Sequence, residues 1–476
     1  MAELRRQRDG VVDADLVELR LDGVADPDVA AALEGRTRPV IVTCRASWEG
    51  GGFRGSEDER RRILRQALER GADYVDVEWR AGFDDLLAEY GHRVVLSSHD
   101  FTGVPADLGA QANTMRATGA AVVKIAVKAN RLSDCITLLE LSRTFGADER
   151  AVFIAMGEAG LPTRVLAQRF GSAWTYAGAV RDVGQLEARQ LVEQFRYRSM
   201  SAATDVYGLV GRPVAHSVSP AMHNAAFSAA GMNAVYLPLA AADTDDFVAF
   251  ARAFGLKGAS VTIPYKVSLL DRAQEVDGLA RKVGALNTLR MDGNRWSARN
   301  TDVAGFLLPL QGRGVPLSGR RAAILGAGGS ARAVAVALAS ECAQVTVYAR
   351  DAQKAEAVAA LASGAVGAFL PPSGSWDLLV NCTPIGMHPR TDQSPVPSAA
   401  LAHGVVYDLI YNPATTRLLR DAATAGCDTI GGLDMLVGQA QAQFEWWTGT
   451  RPPSGVMRAA ATMRLSEFNA DEDHLV

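Results

Sequence analysis

The chain has 476 residues, 48% of them hydrophobic, and a formal net charge of −4. That length suits roughly three globular domains at about 150 residues each, and arginines interleaved with acids exclude a basic nucleic-acid face. No apolar run approaches the ~18 residues of a membrane span, the opening MAELRRQRDG lacks the apolar core of a secretory signal, and Cys44, Cys135, Cys342, Cys382 and Cys427 are scattered without a CxxC pair. Reduced thiols in a cytoplasmic protein are therefore expected, not a disulfide framework or a zinc site.

In the first two hundred residues short apolar segments alternate with helical ones. DLVELRLD (15–22), PVIVTCR (39–45), YVDVEW (74–79), RVVLSSHD (93–100), VVKIAVK (122–128), AVFIAMG (151–157) and AWTYAGAV (173–180) read as seven strands. SEDERRRILRQALERG (56–71) reads as a helix with a serine cap and a terminal glycine. Alternating β and α units imply a parallel sheet. A doubly wound sheet buries both faces and reads almost wholly apolar, whereas here Glu18 and Arg20, Thr43 and Arg45, and Asp76 and Glu78 put polar groups on one face of successive strands. That pattern predicts a TIM-like barrel lined with active-site residues.

Lys124 belongs to this set. Side chains alternate along a strand, so Lys124 shares a face with Ala126 and Lys128, opposite Val123, Ile125 and Val127. An ammonium among packed strands is costly unless paired or deprotonated, and a lysine of lowered pKa is a nucleophile toward carbonyls. Lys128 is expected to extend to solvent. His99 ends its strand, where barrel enzymes place reacting groups. Arg20, Arg45 and Arg164 suit the carboxylate and hydroxyls of a small polar anion.

VELRLD, VTCRASWEGG, SSHDF, VKIAVK, the arginine after GLPT and the glutamine of GQL, in this order over about residues 13–195, resemble type I 3-dehydroquinate dehydratase. The resemblance implies that Lys124 forms an imine with the substrate ketone, that His99 moves the proton and that Glu49 orients His99. It also implies that Arg164 clamps the carboxylate and that Glu18, Arg20, Arg45 and Gln185 bind substrate. Burial and neighbouring arginines are expected to lower the lysine pKa. Two departures stand out: the family's SAPGQ loop is RDVGQ (181–185) here, with Arg181 or Asp182 in place of its serine, and only about fourteen residues precede the first predicted strand.

SMSAATD (199–205) reads as a linker. Further on, AAILGAGGSARAVAVALA (322–339) reads as strand, glycine turn and helix. Gly326, Gly328 and Gly329, followed by Ser330 and Ala331, let a pyrophosphate approach backbone N–H groups at the helix start. The next strand ends at Arg350, with Lys354 beyond it, where an NAD site usually has an acid. A 2′-phosphate suits both cations, so NADP is the expected cofactor.

Around this module lie GRPVAHSVSPAMHN, VTIPYKV, GALNT, NTD, NCTPIGM, DLIYNP and GGLDMLVGQA, and together over about residues 206–470 they resemble shikimate dehydrogenase. The resemblance implies a Lys266–Asp302 acid/base pair, and Ser217 and Ser219 holding the substrate carboxylate with Tyr411 nearby. Thr262, Asn287, Asp302 and Gln439 would bind ring hydroxyls, and Thr383, Met387 and Gly432 would wall the nicotinamide pocket. The family often has asparagine before VTIP; here it is Ser260. His216 and His223 have no carboxylate or cysteine cluster beside them, so no metal is expected.

The expected organisation is a dehydratase-like α/β barrel over 1–198, a substrate domain over 206–310 completed by 435–470, and a Rossmann domain over 311–434. The two resemblances imply consecutive reactions: dehydration of 3-dehydroquinate to 3-dehydroshikimate, then NADPH-dependent reduction to shikimate. The expected partners are these small molecules, with no nucleic acid or membrane, and the oligomeric state is left open. The alternatives are a shikimate dehydrogenase with a silent or ligand-sensing dehydratase half, extending to a ligand-sensing regulator with one or both sites silent, and an NAD-dependent catabolic quinate or shikimate oxidoreductase. Lys124, His99, Lys266 and Asp302 argue against the first, Arg350 and Lys354 against the second.

Overall fold

The structure, a computed structural model, describes residues 1–473; the side chains of Arg181 and of residues 469–473 lie outside that description. The chain divides into two compact units, one of Met1–Thr204 with Leu239–Ala253, the other of Asp205–Pro238 with Phe254–Val476.

In the first unit six strands form one sheet in chain order: β1 (Val17–Arg20), β2 (Val40–Thr43), β3 (Tyr74–Glu78), β4 (Val94–Asp100), β5 (Val122–Lys128) and β6 (Ala151–Met156). All neighbours are parallel. Every residue of β2 and of β6 is buried, as a parallel sheet covered by its crossover helices requires. The crossover helix Glu57–Glu69 starts where Ser56 caps the Glu59 amide at 3.2 Å, with Glu57, Asp58 and Glu59 in its first turn; acids there suit the helix dipole.

The seventh expected strand, 173–180, does not form. Ser172 makes one bridge to Ala151, and the Ala173 amide donates to the Ala151 carbonyl at 2.8 Å. Beyond it the backbone is engaged elsewhere: Tyr176 O accepts from Arg164 at 3.2 Å, and the Gly178 amide donates to Leu186 O at 2.9 Å. Trp174, Tyr176 and Val183 instead pack on the cluster of Ala126, Ile154 and Met156. Among the described residues β1 and β6 do not pair, so the sheet is an open half-barrel.

The second unit carries two sheets. One has the order β10-β12-β11-β9-β7-β8, from β7 (Asp205–Gly211), β8 (Ala234–Ala240), β9 (Gly258–Val261), β10 (Glu275–Val276), β11 (Thr288–Asp292) and β12 (Arg295–Arg299). It is mixed: β7 and β9 run parallel, while β11 is antiparallel to both β9 and β12. The other comprises β13 (Arg321–Leu325), β14 (Gln344–Tyr348), β15 (Ala365–Val366), β16 (Leu378–Asn381), β17 (Val405–Asp408) and β18 (Asp428–Ile430). Its order, β15-β14-β13-β16-β17-β18, is all parallel. This is the Rossmann arrangement, with its switch point beside β13. Helices Asp302–Gly312 and Gly432–Thr448 pack closely because Gly305 faces Gln439: a Cβ on Gly305 would lie 2.9 Å from the Gln439 Cβ. No helix among the described residues is long and apolar enough to cross a membrane, and none of them form a His/Cys/Asp/Glu cluster able to hold a metal ion.

Candidate active sites

In the first unit the parallel register stacks polar residues on the inner face. Asp76 lies opposite Thr43 and Val95, Ser97 opposite Lys124, and His99 opposite Ala126. Lys124 is buried, and its Nζ donates to Asp76 Oδ2 at 3.0 Å. Tyr176 lies against it, the ammonium 4.3 Å from the ring centroid. Asp76 Oδ1 also accepts from Arg45 at 3.0 Å and from Ser97 Oγ at 2.5 Å. Burial opposes its charge, yet Arg45 and Lys124 hold Asp76 ionised, well below the usual carboxylate range.

This geometry corrects the expectation for Lys124. Burial works against the ammonium, but Asp76, with Tyr176 and Glu18, outweighs it, so the free lysine is held above its ordinary value. Arg45 is likewise spent on internal carboxylates: besides Asp76 it reaches Glu78 at 3.1 Å and Ser97 at 2.8 Å. Glu78 is shared with the fully buried Arg60. Arg20 is half exposed and forks onto Asp22 at 2.9 and 2.8 Å, while Glu18 accepts from Thr43 at 2.6 Å.

The structure brings His99 and Glu49 together. The glutamate Oε1 accepts from the His99 backbone amide at 2.8 Å and lies 2.9 Å from Nδ1. Burial pushes the Glu49 carboxyl up to about 7 against the pull of Arg45. Burial, with Arg45 and Lys124, pulls the imidazole well below its usual value, so His99 is neutral and fit to accept a proton. The loop behind Glu49 depends on Gly51, whose Cβ would lie 2.0 Å from the Arg45 carbonyl oxygen.

Arg164 differs from the other cations. It is buried, and among the described residues it donates only to the carbonyls of Tyr176 (3.2 Å) and Val183 (2.8 Å) and its Nε has no partner. Burial alone pulls it down to about 10. A buried guanidinium without a carboxylate is a ready receptor for an anion. Gln185 sits in the same 181–185 loop and accepts from the Val180 amide at 3.1 Å, and the side chain of Arg181 lies outside the described residues.

In the second unit one hydrogen-bonded cluster gathers residues remote in sequence. Lys266 Nζ donates to Asp302 Oδ2 at 2.6 Å; Asn287 Nδ2 donates to Asp302 Oδ1 at 2.7 Å and to Gln439 Oε1 at 3.3 Å. Asp302 opens the helix Asp302–Gly312, and Gln439 lies on the helix packed against it. Ser217 accepts from the Ser219 amide at 3.2 Å at the start of helix Ser219–Ala229. Thr262 follows β9, its amide donating to Val210 O at 2.9 Å. Tyr411 follows β17, its hydroxyl pKa raised by burial.

The turn after β13 is open where a dinucleotide would lie. Gly326 has φ +101°, and a Cβ there would lie 3.0 Å from Thr383 Cγ2; one on Gly328 would meet nothing within 4 Å, and one on Gly329 would lie 3.5 Å from Lys266 Cδ. Ser330 and Ala331 form the first turn of helix Gly329–Ser340. Arg350 is exposed at the end of β14, whereas Lys354 is drawn to Asp351 at 3.2 Å. Thr383 donates to Asn381 Oδ1 at 2.7 Å, and Met387 is exposed beside it in sequence. Gly432 has a packing reason of its own, since its Cβ would lie 2.2 Å from Leu409 O.

Residues 2–202 match the type I 3-dehydroquinase family model, residues 209–289 the shikimate dehydrogenase substrate-binding domain, and 432–462 the shikimate 5′-dehydrogenase C-terminal domain. The bifunctional 3-dehydroquinate dehydratase/shikimate dehydrogenase, chloroplastic, of Arabidopsis thaliana is 34% identical over 480 residues, spanning 92% of this chain and 78% of the relative. The chain belongs to this bifunctional family. Its second unit is also similar to the NADP(+) shikimate dehydrogenase of Symbiobacterium thermophilum, 45% identical over 277 residues covering 55% of this chain and 94% of that one. Among solved structures, shikimate 5-dehydrogenase of Thermus thermophilus with NADP(H) and shikimate has a TM-score of 0.51 at 34% identity, over 55% of this chain and 99% of that one.

Asp76, Ser97 and Tyr176 in the first site, and Thr301 and Gln443 in the second, escaped assignment from sequence. Asp76 was visible as an inward strand residue; its bond to Lys124 was not, because it spans β3 to β5.

Proposed function

We propose that the first unit dehydrates 3-dehydroquinate through an imine at Lys124 and that the second reduces the resulting ketone to shikimate with NADPH. The observation that carries the first half is the buried Lys124–Asp76 pair beside neutral His99 and uncompensated Arg164. Arg164 takes the substrate carboxylate. Lys124 gives up a proton, adds to the ketone and expels water to form an iminium. Asp76, 3.0 Å from the nitrogen in the free protein, becomes the counterion that keeps the iminium charged and therefore electron-withdrawing. His99, oriented by Glu49, removes the proton from the adjacent carbon and returns it to the departing hydroxyl. Hydrolysis of the iminium frees Lys124.

In the second unit the open turn at Gly326, Gly328 and Gly329 fits a pyrophosphate, and exposed Arg350 fits a 2′-phosphate. When bound, NADPH supplies hydride to the ketone carbon. Ser217 and Ser219, with Tyr411, hold the carboxylate; Thr262, Asn287 and Gln439 hold the hydroxyls; Lys266 protonates the developing alkoxide while Asp302 positions it and accepts its hydrogen bond. The limits 1–198, 206–310 and 311–434, with 435–470 returning to the substrate domain, belong to the same reading. The cytoplasmic assignment rests on the five free thiols and is checked by cell fractionation.

The full chain, given 3-dehydroquinate and NADPH, should oxidise NADPH. Lys124→Ala should abolish that signal yet leave reduction of added 3-dehydroshikimate intact, whereas Lys266→Ala should abolish NADPH oxidation with either substrate while 3-dehydroquinate is still converted to 3-dehydroshikimate. A Lys124→Ala chain that still couples 3-dehydroquinate to NADPH oxidation would refute the assignment.

A further inference from the structure

A buried chain of hydrogen bonds runs behind the reductase site, every link pointing the same way. Ser260 Oγ donates to Gln443 Oε1 (2.6 Å), Gln443 Nε2 to Thr288 Oγ1 (3.1 Å), Thr288 Oγ1 to Asn287 Oδ1 (2.8 Å), and Asn287 Nδ2 to Asp302 Oδ1 (2.7 Å). Asp302 is the carboxylate paired with Lys266. We infer that Gln443 is a positioning residue of the reductase, an amide that fixes Asn287 and, through it, the donor held on Asp302.

The inference rests on the proposed reductase reading and deepens it. A primary amide presents a donor on one side and an acceptor on the other, so its two orientations differ in what they offer neighbours. Were the Asn287 amide turned over, its carbonyl oxygen would face the Asp302 carboxylate. Three donors hold it the right way: the Thr301 backbone amide at 2.8 Å, the Thr288 hydroxyl at 2.8 Å and, at a longer 3.2 Å, the Thr301 hydroxyl. The first is fixed by the chain. The second is a rotor, and it is steered because Gln443 already fills an acceptor position on that oxygen. Gln443 also donates to the Asn287 carbonyl at 3.2 Å, gripping both ends of the residue.

The placement follows from sequence spacing. Gln439 and Gln443 are four residues apart on helix Gly432–Thr448 and so share a face. Gln439 accepts from Asn287 Nδ2, and Gln443 lies beyond it, 1% exposed. Ser260 and Thr288 are direct partners across β9 and β11, and Gln443 bridges them from the helix. Ser260 stands where the family often has asparagine. Serine has no amide to offer, and Gln443 supplies one from the facing helix. An asparagine at position 260 would offer a donor and an acceptor from the strand side of the same pair, so it should stand in for a lost Gln443 amide.

Four full-length variants test this with steady-state kinetics for each substrate and a melting curve. Gln443→Leu keeps the length but removes both polar atoms; it should lower kcat/KM for 3-dehydroshikimate about tenfold or more, in line with losing buried hydrogen bonds. The KM for NADPH and the dehydratase activity should stay unchanged. Ser260→Ala, a milder change that keeps the fold if Gln443→Leu does not, should cost about fivefold in the same parameter. Gln443→Ala should be impaired like the leucine variant, and adding Ser260→Asn to it should bring activity to within about threefold of the unaltered chain.

The inference is overturned if Ser260→Ala and Gln443→Leu leave kcat/KM for 3-dehydroshikimate unchanged. It is equally overturned if both substrates' KM values rise together in step with lost melting temperature, or if Ser260→Asn gives no rescue. Absence of reductase activity in the unaltered chain would instead remove the functional reading beneath it.

Discussion

The sign of one charge decides how the dehydratase site works. Lys124 is buried deeply enough to favour the neutral amine, yet Asp76 reverses that preference in the free protein. Asp76→Asn should therefore let burial and Arg45 dominate. The alkaline-dependent limb of the dehydratase pH profile should move to lower pH by more than about one unit, since each unit is only about 1.4 kcal/mol of differential interaction. The maximal rate should fall as the iminium loses its counterion, while reductase activity of the same chain stays constant. An unmoved limb would remove Asp76 from the mechanism. Glu49 carries a stability prediction. Its carboxyl rises from 4.5 to about 7 on folding, chiefly by burial. Between those values the folded state holds a proton that the unfolded state has released, so stability falls as pH rises through that window. Glu49→Gln should raise the melting temperature relative to the unaltered chain at about pH 8 but not at about pH 4, and should slow dehydration at both. Sequence made Lys124, His99 and Glu49 legible through their motifs. The lysine's charge state was not legible, because burial and Asp76 oppose each other and only a 3.0 Å separation settles the balance.

At the scale of elements, local pattern served well where the chain repeats a βα unit and failed where a segment is employed for its side chains. AWTYAGAV has the β-branched and aromatic character of a strand, but Trp174 and Tyr176 are turned onto the inner face and the Tyr176 carbonyl is taken by Arg164. The turn carrying Glu49 shows the reverse, a legible motif with an illegible reason. VTCRASWEGG points to Glu49, but why a glycine follows two residues later emerges only from the Arg45 carbonyl lying 2.0 Å from a Gly51 Cβ. Gly51→Ala should displace that turn, destabilise the first unit by about 1–3 kcal/mol and depress dehydratase activity, as read by denaturant unfolding and turnover. The strand, turn and helix of the Rossmann motif were legible. Lys354 was assigned with Arg350 but is drawn to Asp351, so Arg350 carries the cofactor prediction. Arg350→Ala should raise the KM for NADPH about tenfold and leave that for NADH unchanged, as expected for one charge-assisted phosphate contact.

For the molecule as a whole, the sequence announces two chemistries in one chain, and each compact unit assembles one of them. The first gathers its site from successive parallel strands, so the period-two pattern revealed the inner face in advance. The second gathers Lys266, Asn287, Asp302 and Gln439 from separate elements, a grouping that spacing does not disclose and that the family motifs supplied. The proposed dehydration is covalent: a substrate ketone joins the amine of Lys124. The direct measurement is mass spectrometry of the full chain after borohydride reduction in the presence of 3-dehydroquinate, with peptide mapping of the adduct. One reduced adduct is expected, on Lys124, absent from Lys124→Ala. A chain that turns over 3-dehydroquinate yet yields no adduct, or yields it at another lysine, would contradict it.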